Sequence, residues 1–211
     1  RQRRIYNRTS MNHSPLICIS GGIGSGKSVV CRILRHLGHE VFDCDREARF
    51  IMDCSPSIRL RIAKEIDPKA VCDDVIDRRI LAKTVFGNPE LLQRLNSIVH
   101  TAVTDELCRR HKEFSKTNPG IPFFAETAIL YQSGLNKVAD MVWEVEAPMS
   151  LRIDRVMLRN GLSREDVEAR IASQTFEPDA SAVIPPTAHI INDNTTPVLP
   201  QVLALLHKIR F

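Results

Sequence analysis

Apolar positions along the chain fall into two alternating kinds of pattern. Leu16-Ile17-Cys18-Ile19-Ser20 is a short, almost unbroken apolar run, as expected of a central strand buried on both faces. Behind it, Val29, Val30, Ile33, Leu34 and Leu37 recur at helical spacing, and Gly38 closes the segment as a C-terminal cap would. Residues 40–45 predict a second strand ending in Asp43 and Asp45, with Asp45 also placed to start a helix over Arg46–Asp53. Residues 56–116 read as largely helical. Pro56 opens one helix, Asp77 caps another over Arg78–Phe86, and Gly87-Asn88-Pro89 breaks it. From Glu90 towards Lys116 a long amphipathic helix carries Leu91, Leu92, Leu95, Ile98, Val99, Val103 and Leu107 on its apolar side.

The strand–helix alternation then resumes. Ile121–Glu126 predicts a third strand, a helical turn follows around Gly134, and Met141–Val145 predicts a fourth strand. A helix over Arg152–Arg159 ends at Asn160-Gly161, and Ser163-Arg164-Glu165-Asp166 starts the next as a variant capping box, running to about Gln174. Ala188–Ile191 predicts the last strand, Asn192–Thr196 a polar turn, and the segment from about Pro197 to Ile209 the last helix. Strands alternating with helices in this way imply an α/β fold, a parallel sheet with helices on both faces.

The junction of the first strand and helix carries the strongest chemistry. Gly21-Gly22-Ile23-Gly24-Ser25-Gly26-Lys27-Ser28 fits G-x-x-x-x-G-K-[ST], the phosphate-cradling P-loop. Its glycines let the backbone approach a phosphate closely, and the following helix N-terminus adds partial positive charge. Lys27 would neutralise β/γ-phosphates and the Ser28 hydroxyl would ligate Mg²⁺. Gly22, Gly24, Ser25, Gly26 and Val29 complete the expected ATP-binding set around them. In open α/β sheets ligands gather at the carboxyl ends of strands, so Asp45 is a candidate for metal or general-base work. Glu126 resembles a Walker-B acid that would help hold Mg²⁺ through water. Arg152, Arg155 and Arg159 lie near one helix face, either a solvated stripe or a lid that clamps phosphates. Gly161 would hinge that lid. His100 reads either as an ordinary helical histidine or as an acceptor contact.

Composition narrows the class. The 211 residues make one domain, or a domain with insertions, and have ordinary soluble globular composition. No apolar run approaches the length of a membrane span. The six scattered cysteines lack any C-x-x-C and suit a reducing cytosol. The net charge of +4 is accounted for by Arg1, Arg3, Arg4 and Arg8, in an acid-free segment ahead of Met11. The remainder is neutral and lacks the electrostatic footprint of a nucleic-acid binder. Residues 1–12 are expected to be a disordered or appended extension.

Taken together, these pieces resemble the dephospho-CoA kinase family. The resemblance rests on Gly21–Ser28, Val41-Phe42-Asp43-Cys44-Asp45, Ile76–Leu81 with Val85-Phe86, Leu95–His100, Ala128–Leu135, the arginine helix and Ile190–Asn194, in that order. It implies a P-loop kinase of three α/β/α layers, with core segments 13–50, 118–147 and 186–211. A helical CoA-binding insertion over about 51–117 and a small helical lid over about 148–178 would complete it. It further implies transfer of the ATP γ-phosphoryl to the ribose 3′-hydroxyl of dephospho-CoA, with Mg²⁺, in a cytoplasmic monomer or small homo-oligomer. By resemblance, Lys27, Asp45 and Arg155 would be catalytic and Arg159 would reach ATP. Asp45, Arg78 and His100 would contact the acceptor. Gln132 replaces a family glutamate, Thr101 stands where His-Pro is usual, and Arg152 stands where the lid often has glutamine. Another small-molecule P-loop kinase, acting on a nucleoside or nucleotide, is the alternative reading.

Overall fold

A computed structural model of the chain describes residues 13–174 and 182–209, with the side chains of 173 and 174 left out. The predicted extension over residues 1–12 and the last part of the predicted lid, 175–178, lie outside the described residues. The chain divides into two compact units, one made of its two ends, up to Phe42 and from Arg110, and one of Asp43–Arg109.

The first unit is built on a five-stranded sheet. Its strands are β1 (Leu16–Ser20), β2 (Val41–Asp43), β5 (Phe123–Glu126), β6 (Met141–Glu146) and β7 (Thr187–Ile191). They stand in the order β2-β5-β1-β6-β7. The pairs β1–β5, β1–β6 and β6–β7 are parallel, as the strand–helix alternation requires. All five residues of β1 are buried, which is why its sequence is an apolar run and not an alternation. Ile17, Ile19, Phe124, Trp143, Val145 and Ile190 pack against α1 (Lys27–His36) and α8 (Val198–Ile209), through Val30, Cys31, Leu34, Val202, Leu206 and Ile209. Fully burying each large side chain of this layer contributes about 1.5–3 kcal/mol. That layer fixes β1 and the start of α1, hence the loop between them.

A helical hairpin lies between β6 and β7: α6 (Met149–Asn160) and α7 (Arg164–Gln174). Gly161, in the left-handed conformation (φ 64°), ends α6. The Ser163 hydroxyl oxygen accepts from the Asp166 amide (3.1 Å), the expected N-cap, and the hydroxyl itself, not the Ser163 amide, donates to the Asp166 carboxylate (2.8 Å). Ile153, Val156, Val167 and Ile171 form the hairpin's own small core, and Ile23 of the P-loop packs on it.

The second unit is mainly helical: α2 (Cys44–Cys54), α3 (Pro56–Glu65), α4 (Arg78–Val85) and the first part of α5 (Pro89–Thr117). Pro56 is the first residue of α3, and Asp77 caps α4 by accepting from the Arg79 and Ile80 amides. Two sequence expectations are corrected here. The second strand stops at Asp43, not Asp45, and Asp43 caps α2 by accepting from the Arg46 amide (2.9 Å). Asp45 is instead in the first turn of that helix. A two-residue hairpin, β3 (Val71–Cys72) with β4 (Val75–Ile76), turns through Asp73 and Asp74 at positive φ.

Candidate active site

The P-loop leaves the carboxyl end of β1, where open α/β sheets collect their ligands. Its path needs glycine at two positions in particular. At Gly24 (φ 78°) a Cβ would sit 2.5 Å from the Arg152 carbonyl oxygen, and at Gly26 (φ 98°) it would collide with the Asn192 side-chain amide. Gly26 is also the N-cap of α1 and supplies no capping side chain, so no side chain competes for the first-turn amides. Ser25 is buried, and its hydroxyl has no partner among the described residues. The Lys27 ammonium donates to the Gly21 carbonyl (2.6 Å) and the Gly22 carbonyl (3.3 Å), folding back over the loop. A phosphoryl group entering the cradle meets this ammonium beside the N-terminus of α1.

Two arginines of α6 reach the same loop. Arg152 donates to the Ile23 carbonyl (3.0 Å). Arg155 donates to the carbonyls of Gly24 (3.2 Å), Ser25 (3.4 Å) and Asn192 (3.0 Å), and to the side-chain oxygen of Asn194 (2.5 Å). The turn after β7 closes the third side, its Asn192 side-chain amide donating to the Ser25 carbonyl (2.8 Å). That turn is held by Asp193, which accepts from the Thr195 (2.9 Å) and Thr196 (2.7 Å) amides. Those amides, Thr196 first, hold the Asp193 carboxyl far below the usual carboxylate range. Loop, helix and turn are thus one hydrogen-bonded assembly at the sheet's carboxyl edge.

A pocket of about 240 Å³ opens beside Ser20, Gly21 and Gly22, with Tyr131, Gln132, Thr187 and Glu144 among its lining residues. Glu144 is half-buried, paired in register with Ser20 on β1 and His189 on β7. Burial raises its pKa, partly offset by the Ser20 hydroxyl hydrogen bond and by the Lys27 charge. The Arg152 pKa is lowered by burial, against the opposing pull of the Glu144 charge.

Of the residues singled out from sequence, Gly22, Gly24, Ser25, Gly26, Lys27 and Arg155 share this assembly, with Ser28 and Val29 in the first turn of α1. Glu126 ends β5, in register with Ile19. Arg159 is exposed, its guanidinium on the Asn160 side chain (3.0 Å). Asp45, Arg78 and His100 belong to the second unit. Arg78 begins α4 and pairs with Asp53 (2.7 Å), and His100 lies within α5. Sequence reasoning missed Arg152 as a loop contact, along with Asn192, Asn194 and Glu144. The arginine spacing signalled the first, and a polar turn at a strand's carboxyl end signalled the asparagines. Glu144 lies in the middle of an apolar strand and belongs to no motif, so nothing in the sequence signalled it.

A family model described as dephospho-CoA kinase matches residues 15–197. A dephospho-CoA kinase of Porphyromonas gingivalis is 35% identical over 194 residues, 92% of this chain and 94% of that protein. One from Carboxydothermus hydrogenoformans is 38% identical over 162 residues, 76% of this chain and 78% of that protein. A crystal structure of a Thermus thermophilus protein superposes with a TM-score of 0.70 at 33% identity, covering 93% of this chain and 96% of that one.

Proposed function

Because the chain belongs to the dephospho-CoA kinase family, we propose that Lys27, Arg155 and Asp45 divide the chemistry of its reaction between them. That reaction moves the γ-phosphoryl group of ATP onto the ribose 3′-hydroxyl of dephospho-CoA, giving coenzyme A and ADP. The observation that supports this division is the convergence of Lys27 and Arg155 on one run of P-loop backbone. Phosphoryl transfer passes through a loose transition state with charge spread over the equatorial oxygens, so positioning and charge stabilisation dominate catalysis. Lys27 supplies a point charge at the β/γ-phosphates. Arg155 brings a planar, multidentate donor that can turn from loop carbonyls to phosphoryl oxygens with little rearrangement. The amides at the start of α1 and the backbone of Gly22, Gly24, Ser25 and Gly26 hold the chain of phosphates, and Val29 extends that first turn.

Asp45 accepts the proton of the 3′-hydroxyl or orients that hydroxyl for in-line attack. Arg78 and His100 contact the acceptor, and Arg159 reaches ATP on leaving Asn160. The helical hairpin α6–α7 acts as the lid, keeping water from the transferring group. The donor set suits Mg²⁺: Ser28 offers a hydroxyl at the loop's end and Glu126 a carboxylate at a strand end, hard oxygens that leave room for waters and phosphates. Ser28 and Glu126 would hold the ion, which would supply positive charge against the phosphates. No helix of the described residues is long and apolar enough to cross a membrane. The six cysteines, all among the described residues, form no disulfide, and a reducing compartment suits them.

The test is ADP release from Mg·ATP with dephospho-CoA, beside AMP, adenosine and no acceptor, with product mass determined. Turnover that depends on dephospho-CoA, with a product one phosphoryl group heavier, is expected. Within that assay, Asp45→Ala is expected to lower kcat by about 10²–10⁴-fold, the usual range for a general base, without loss of fold. Near-normal turnover of the variant overturns the role given to Asp45. Preference for adenosine or AMP would instead mark a nucleoside or nucleotide kinase.

A further inference from the structure

The P-loop edge carries an electrostatic problem. Lys27 donates to the carbonyls of Gly21 and Gly22, and Arg152 donates to the very next carbonyl, Ile23. The Arg152 guanidinium also occupies the space a Cβ on Gly22 would need. Two cations are therefore gathered over three consecutive residues, one of them half-buried, where like-charge repulsion and desolvation both oppose the arrangement. Glu144 faces this edge. Its strand position is opposite Ser20, the last residue before the loop, and it lines the pocket with Ser20, Gly21 and Gly22. Its charge acts on both Lys27 and Arg152. An apolar residue there would satisfy the buried strand equally well, so burial alone does not account for a carboxylate.

We propose that Glu144 is a positioning residue for ATP. Its carboxylate, anchored by the Ser20 hydroxyl, is the counter-charge that keeps Lys27 and Arg152 gathered at the Gly21–Ile23 edge of the cradle. It does not touch the transferring group. It acts through the two cations, whose placement sets how well the polyphosphate is held. The inference rests on the chain acting as an ATP-dependent kinase, and wild-type turnover in the same assay tests that premise separately.

Ionisation gives the role a signature. Besides Lys27 and Arg152, the titratable groups around Glu144 are Glu146 on its own strand, His189 on β7 and Tyr131 across the pocket. His189 and Glu146 pair with each other (2.7 Å). Since burial raises the Glu144 pKa, its counter-charge is lost on acidification earlier than that of an ordinary carboxylate. In wild-type enzyme, the KM for ATP should rise as the pH falls through that range.

The experiment measures kcat and KM for ATP against pH for wild type, Glu144→Gln, Glu144→Asp and His189→Gln. At neutral pH and above, Glu144→Gln should raise the KM for ATP about tenfold, the scale of one pKa unit of differential interaction, with kcat little changed. Its acid limb should disappear, Glu144→Asp should restore the limb, and His189→Gln should retain it. Unchanged KM and an unchanged pH profile in Glu144→Gln overturn the proposal. So does a lower KM, which would mean that the carboxylate repels the nucleotide and does not organise its ligands. Should thermal melting show that Glu144→Gln does not fold, wild type and His189→Gln suffice: no acid limb in the wild-type KM, or a limb that vanishes with His189, overturns the proposal.

Discussion

Arg155 and Arg159 sit one helical turn apart on α6 and have opposite surroundings. Arg155 bonds to oxygens of Gly24, Ser25, Asn192 and Asn194, whereas Arg159 is exposed beside Asn160. Arg155→Ala is therefore expected to lower kcat/KM by about 10²–10³-fold, the scale of removing one preorganised donor from a transition state. Arg159→Ala should cost far less. Steady-state kinetics on the two variants, with circular dichroism to confirm folding, make the comparison, and equal losses would show that both arginines reach the nucleotide during turnover. The i, i+3, i+7 spacing placed these side chains on one face from sequence alone. It could not say which of them meets the P-loop, because that depends on where β7 delivers Asn192 and Asn194. Asp45 teaches a similar lesson. A carboxylate after a short apolar run looks like a cap, but Asp43, two residues earlier, is the residue that caps α2, through the Arg46 amide.

At the scale of elements, the hairpin α6–α7 depends on a hinge and a cap. Gly161 ends one helix in a left-handed conformation, and Ser163 with Asp166 starts the next. Ser163→Ala should destabilise α7 by about 1 kcal/mol through loss of the cap. Because the hairpin has its own small core, the change should appear as faster amide hydrogen exchange in α7, with β1 and β6 unaffected. Uniformly faster exchange would mean that the hairpin does not open independently. Both signals were legible because cap chemistry is local: a glycine, then Ser-x-x-Asp. The pair β3–β4 was not. Two-residue strands carry no periodicity, and their turn uses two aspartates at positive φ where glycine or asparagine would have announced it.

Across the whole molecule, acid should act unevenly on the two units. In Asp43–Arg109, Glu65 is held below its usual pKa chiefly by a hydrogen bond from Arg61, Asp67 by the Lys69 amide, and Asp77 by the amides of Ile80 and Arg79. A carboxyl depressed in the folded state stabilises the fold fully above its unfolded pKa, near 4, and that contribution fades as the pH falls through the folded value. In the described part of the other unit, the Thr196 and Thr195 amides hold Asp193 low in the same way. On acidification below about pH 4, helical circular dichroism should therefore fall before the emission of Trp143 shifts, since the chain's single tryptophan is buried in the sheet's core. Emission shifting first would contradict this.

The buried strand β1 has a consequence for how the protein is made. Its two neighbours in the sheet are β5, beginning at Phe123, and β6, beginning at Met141. A ribosome builds the chain from its N-terminus, so the strand that leads into the P-loop emerges before both of its flanks and waits for them. Meanwhile the contiguous stretch Asp43–Arg109 is complete and can settle through contacts that are mostly local in sequence. The P-loop, made before either strand that flanks β1, is framed only after both have followed.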